Sequence, residues 1–150
     1  MRLIKAFIIL VSYGCGFYGC NSAEESEHVV HQPFAIVETT IGEIQNAILS
    51  GETTCVQVVS DYIERIARFD TQLSVNAITF VNPKALDKAR HIDDAIASRV
   101  ELGELFCAPV LVKDNFDTHD MPTTGGSIAL ADNFPPDDAF MVRKIREQDG

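Results

Sequence analysis

The sequence predicts an α/β protein, a mixed β-sheet core flanked by helices, and three observations carry that expectation. Stretches with an apolar residue at every third or fourth position recur along the chain, as amphipathic helices require. Between them lie apolar runs too brief for a helix. One of these, Val110-Leu111-Val112, is apolar on both faces, which suits a strand covered from above and below. Two strands do not make a stable sheet by themselves, so residues 35–150 are expected to be the N-terminal portion of a larger domain, truncated at its C-terminus.

The chain begins with a different kind of segment. Arg2 and Lys5 precede a short apolar core at residues 6–11 and then small and aromatic residues, the layout of a secretory signal. The apolar length falls short of a spanning helix. Gly19-Cys20 closes a stretch resembling a bacterial lipobox, so residues 1–19 are expected to be removed and Cys20 to carry a lipid; a plain signal cleaved near Ala23 is the alternative. Residues 20–34 are polar and acidic without an apolar period and read as a flexible tether. His28 and His31 within it have no further ligands nearby, and no metal site is expected.

The folded body opens with helices. Thr40 and Glu43 form a capping box, Ile41, Ile44, Ile48 and Leu49 line one face, and Gly51 is a natural stop. Thr54 and Gln57 open a second helix with Val58 or Val59, Tyr62, Ile63, Ile66 and Phe69 inward. Residues 73–81 alternate loosely and form the first expected strand. Asn82-Pro83 is a cap followed by proline in the first turn, starting a third helix that runs to about Arg99 with Leu86, Ala89, Ile92, Ala95 and Ile96 inward. His91 on that helix is a surface residue. Residues 107–112 form the second expected strand. Phe134-Pro135-Pro136 forces a turn, and Asp137 or Asp138 caps a last helix reaching Gly150.

Cysteine usage does not set the framework. Cys15 lies in the signal and Cys20 at the proposed anchor, which leaves Cys55 and Cys107. These read as small buried hydrophobes, although an exported protein could pair them.

Chemistry concentrates after the second strand. Lys113 ends the apolar run, so its ammonium either reaches out to water or is placed in a cleft. Thr123-Thr124-Gly125-Gly126-Ser127 then offers three hydroxyls and two residues free to take positive φ. Such a loop is an ordinary turn, or one whose backbone N–H groups approach a ligand.

Taken together, Pro109 to Asn115, Asp117-Thr118, Met121 to Ser127, Ala129 to Asp132 and Asp138-Ala139-Phe140 resemble the amidase signature family. The resemblance implies the amidase signature fold and hydrolysis of carbon–nitrogen amide bonds by a Ser–cisSer–Lys triad. It makes Lys113 the triad lysine, and lets Gly126 and Ser127 line the substrate site. Both serines of the triad belong to a later segment, so Ser127 is not the nucleophile and these residues alone are expected to be inactive. Where family members commonly read Leu-His-Gly-Ile-Pro, this chain has Leu105-Phe106-Cys107-Ala108-Pro109, without the histidine or the glycine.

A serine attacks an amide only when a base takes its proton, and a lysine is that base only when neutral, a state favoured by burial away from carboxylates. The apolar strand is expected to bury Lys113, and alternation turns Asp114 to the opposite face. No metal or organic cofactor is implied. The expected partner is a small-molecule amide, with the lipid anchor as the membrane contact. The net charge of −10 argues against nucleic acid. Two other readings stand: an amidotransferase of the A-subunit type that works on Glu-tRNA, which the export signal disfavours, and a lipid-anchored member of the fold without catalysis.

Overall fold

A computed structural model describes residues 34–150. The expected signal, the expected lipid attachment at Cys20, His28 and His31, and all but the last residue of the expected tether lie outside the described residues.

Helix α1, Ile41–Ser50, forms where its capping box predicts it. Thr40 Oγ1 accepts from the Glu43 N–H at 3.2 Å, and the Glu43 carboxylate accepts from the Thr40 N–H at 2.7 Å. Gly51 ends the helix in the left-handed region at φ 78°. Helix α2, Cys55–Ile66, is capped by Thr54, whose Oγ1 accepts from Gln57 N–H. Its two first amides are claimed from a distance: the Asp93 carboxylate accepts from Cys55 N–H at 2.8 Å and Val56 N–H at 3.0 Å. Asp93 belongs to helix α3, Ala85–Ala97, so the two helices are tied by a charge-assisted cap as well as by packing. Helix α3 starts later than expected. Asn82 and Pro83 lie in the preceding turn, where Asn82 Oδ1 accepts from Lys84 N–H.

The core that results is small. Ile44 and Ile48 of α1, Val58 of α2, and Ala89 and Ile92 of α3 are buried together with Cys55 and Cys107. Ile41, Leu49 and Phe69, expected inward, are exposed. The two cysteines form a disulfide, with Cα atoms 5.6 Å apart and a separation of 52 positions in sequence. Reading them as separate buried hydrophobes is therefore corrected: both are buried, and they are bonded. In the loop-closure account a bridge of this span contributes about 4 kcal/mol by restricting the unfolded chain.

Among the described residues there is no strand, so the expectation of strands at residues 73–81 and 107–112 is also corrected. The first segment is bent by its own side chains. After α2 the chain widens into a π-helical turn, Ala67–Thr71, and the Asp70 carboxylate gathers the N–H groups of Ala77 and Ile78. Ser74 and Asn76 sit at φ 57° and 55°, outside the β region. The second segment starts from Cys107 at φ 55°. Residues 109–112 then run without turns, and no hydrogen bond engages their backbone among the described residues. A strand exists by its ladder, and no neighbour supplies one here. Leu111 is accordingly 76% exposed.

The C-terminal turn supports the approach to this segment. Leu105 N–H donates to the Gln148 carbonyl at 2.9 Å, Glu104 N–H to Gln148 Oε1, and Gly103 N–H to the Asp149 carboxylate. A Cβ on Gly103 would lie 2.4 Å from the Gln148 carbonyl carbon, so only glycine fits. Helix α4, Phe140–Arg146, precedes that turn and buries Val142. Neither expected aspartate caps it. Ala139 occupies the cap position without a side-chain bond, and Asp138 is engaged elsewhere.

Candidate active site

Lys113 stands at the exposed end of the extended segment, and its carbonyl accepts from the N–H groups of Asn115 at 2.7 Å and Phe116 at 2.9 Å. The chain therefore turns immediately beyond it. The expected burial of the lysine is not provided by the described residues, because Val110 and Leu111 before it are themselves exposed. No carboxylate among the described residues pairs with its ammonium.

Asp114 explains how the two halves of the candidate site are joined. Its carboxylate accepts from Thr124 N–H at 2.7 Å, from the Thr124 hydroxyl, and from Gly126 N–H at 3.2 Å, while its carbonyl accepts from Gly125 N–H at 2.8 Å. The Thr124 hydroxyl and amide, with smaller contributions from the glycine amides, hold the Asp114 carboxyl below its ordinary pKa. Gly125 and Gly126, at φ 57° and 76°, let both N–H groups turn back onto one residue. The aspartate beside the lysine thus closes the glycine loop instead of pairing with the lysine. Gly126 and Ser127 are both exposed on that loop. The Gly126 N–H is committed to Asp114 and to Thr124 Oγ1, so Gly126 presents Cα and carbonyl, not a free donor.

Further bonds brace the loop. Thr123, buried, exchanges backbone and side-chain bonds with Asn133 and donates its hydroxyl to the Phe116 carbonyl at 3.3 Å. Behind it lies an ionic cluster. Arg146 of α4 meets Asp120 at 2.6 Å and Asp138 at 3.1 Å; Asn82 donates to Asp120, and His119 donates its N–H to Asp138, with its ring 2.9 Å away. Burial acts to raise the carboxyl pKa of Asp120 and of Asp138. Hydrogen bonds from Arg146 and Asn82 to the first, and from His119 to the second, outweigh it and leave both lowered.

The structure thus brings Lys113 and the 123–127 loop together through Asp114. The clamping role of Asp114 and the Arg146 cluster were not foreseen from the sequence, where Asp114 is expected only to face away from Lys113. The pattern Asp114 followed by Thr-Thr-Gly-Gly carried a signal for the first, since a carboxylate collects loop amides readily. Nothing in the spacing of residues 82, 120, 138 and 146 announced the second.

The family described as Amidase matches residues 57–150, and the chain belongs to that family. Among its relatives, the chloroplastic/mitochondrial A subunit of the glutamyl-tRNA(Gln) amidotransferase of Arabidopsis thaliana is 38% identical over 122 residues, covering 81% of this chain and 22% of that protein. The native peptide amidase from Stenotrophomonas maltophilia superposes with a TM-score of 0.72 at 34% identity, over 77% of this chain and 24% of that one. An amidase family protein from Bacillus anthracis gives a TM-score of 0.70 at 34% identity, over 75% and 23%. The chain spans roughly a fifth to a quarter of the length of these relatives.

Proposed function

We propose that this chain is the lysine-bearing part of a hydrolase of carbon–nitrogen amide bonds, working through a Ser–cisSer–Lys triad of which Lys113 is the one member present. The observation that carries the reading is the tie between Lys113 and the glycine loop. Asp114, adjacent to the lysine, spends its carboxylate on Thr124 and Gly126. The ammonium is left without a counter-charge among the described residues, as a residue destined to act as a base requires. In the whole enzyme the sheet neighbours of residues 109–112 would cover the segment, restoring an α/β core flanked by helices and removing the lysine from water. The neutral amine would then accept the proton of the nucleophilic serine through the cis-serine as the serine attacks the amide carbon. The same proton would pass to the leaving nitrogen, and water would release the acyl group by the reverse relay. Gly126 and Ser127 would line the acyl site. These residues alone would have no activity.

The amidotransferase relative favours a second reading, a part of an enzyme that works on Glu-tRNA. Export speaks against it. The Cys55–Cys107 disulfide supports an oxidising compartment, in line with the secretory layout of residues 1–19 and lipid attachment at Cys20. Labelling cells with a radioactive fatty acid is the check on the anchor: label is expected on the wild type and not on Cys20→Ser.

The catalytic assignment is tested with Lys113→Arg in the full-length enzyme. Arginine keeps the charge but cannot give up its proton. A loss in kcat of about 10²–10⁴-fold on an aryl amide is expected, whereas a lysine serving only as a solvated charge would tolerate the change.

A further inference from the structure

The disulfide joins two places that matter differently. Cys55 begins α2, and its N–H is held by Asp93, so its sulfur is fixed to the helical core. Cys107 is 5% exposed and lies six residues before Lys113. With Ala108 it is the last buried point before the chain leaves the core along residues 109–112. From there to Lys113 no backbone hydrogen bond intervenes among the described residues. The direction in which the lysine segment departs is therefore set at Cys107. That residue sits at φ 55°, a conformation that glycine adopts freely and a cysteine adopts at a cost. Its neighbours are only partly restrained: the side chain of Gln45 donates to the Glu104 and Phe106 carbonyls, and Ala108 N–H donates to the Leu105 carbonyl.

We propose that Cys107, through its bond to Cys55, is a positioning residue for Lys113. The sulfur bridge holds the left-handed turn that a glycine would otherwise supply, and so aims the lysine segment. The proposal rests on the amidase reading of Lys113. It makes maturation of the site an oxidation. The two thiols give up two electrons and two protons to the disulfide of a thiol–disulfide oxidoreductase, which leaves as a dithiol while the Sγ–Sγ bond forms. Until that exchange occurs, the lysine segment is joined to the core by weaker bonds only.

The test uses the full-length hydrolase, with kcat and KM on an aryl amide at 25 °C, Tm, and free thiols counted by alkylation and mass. Two double variants are compared, Cys55→Ser with Cys107→Ser, and Cys55→Ser with Cys107→Gly. Both lose the bridge, and both should melt lower than the wild type. The serine pair should lose kcat by at least about tenfold with KM changed less than about threefold, as misplacement of a reacting group does. The glycine pair should recover most of that kcat, because glycine restores the turn without restoring the cross-link.

Wild-type kcat in both pairs would overturn the proposal and leave a disulfide that only stabilises. So would a glycine pair as slow as the serine pair. Should the serine pair fail to fold, stepwise phosphine reduction of the wild type decides the matter instead: kcat should fall in step with the appearance of thiols, and a constant kcat overturns the proposal. Lys113→Ala separates the two levels. If it is inactive beside fully active cysteine variants, only the positioning role fails. If it turns over amide like the wild type, the lysine assignment fails and takes this role with it.

Discussion

Residues 40–99 and residues 107–150 hold themselves together by different means. In the first region most bonds run between near neighbours along helices α1 to α3, and the apolar stripes meet in a buried core. In the second, aspartate side chains do much of the work: Asp114 closes the glycine loop, while Asp120 and Asp138 receive Arg146. A helix satisfies its backbone wherever it is placed. A loop tied by carboxylates keeps its shape only while those groups stay charged, and an extended segment keeps its shape only beside a neighbour.

The largest expected effect breaks the second region at its charge cluster. Asp120 is 5% exposed on its side chain, and Arg146→Ala would leave it without its cation. A loss of about 3–5 kcal/mol in stability is expected, read by urea unfolding of the full-length protein. A loss below about 1 kcal/mol would mean that water replaces the guanidinium at no cost.

Acid should strike the same place. The folded pKa of Asp120 and of Asp138 is depressed. Their contribution is therefore fully present above the unfolded value of about 3.9 and lost as pH falls through the lower folded values. Unfolding free energy followed from pH 6 to pH 2 should drop below about pH 4, and the drop should be shallower in Asp120→Asn. The helical region has a smaller vulnerability. Thr40→Ala removes the hydroxyl half of the capping box and should cost about 1 kcal/mol, with circular dichroism showing α1 frayed and α2 intact.

The smallest effect bears on the open segment. In the 150-residue chain, Leu111→Thr should change stability by no more than about 0.5 kcal/mol, since the side chain is mostly in water. In the whole hydrolase the cost should rise to about 2 kcal/mol or more as sheet neighbours cover it. Equal, small effects in both would argue against a sheet over residues 109–112.

The same contrast explains what could be read from the sequence. Thr40 with Glu43, Thr54 with Gln57, and the stripe through Ala89 and Ile92 are local patterns, and the helices formed where those patterns lie. The strand at residues 73–81 was misread because Asp70 reaches forward to Ala77 and Ile78, a bond that apolar alternation does not encode. The apolar run at residues 110–112 was legible as an extended segment but not as a strand, because pairing is a property of the neighbour. At the site, the neighbourhood of Lys113 and the glycine loop was legible in order along the chain. The clamp between them and the Arg146 cluster depend on contacts across the fold, as does the pairing of Cys55 with Cys107.

The grip of Asp93 on the start of α2 bears on the order of events during oxidative folding. Cys55 and Cys107 are separated by 52 positions in sequence, so something must bring the two sulfurs together. Asp93 lies 38 residues from Cys55, whereas Cys107 is 52 away. The contact between α2 and α3 is thus the shorter loop to close, and it would build one wall of the bridge before the second cysteine arrives. Cys55 would then wait in a formed pocket, and the correct partner is the one that emerges packed against the same helices. In a quenched refolding series, helical signal should appear before thiols vanish. Asp93→Ala should slow the loss of thiols, although it touches neither sulfur.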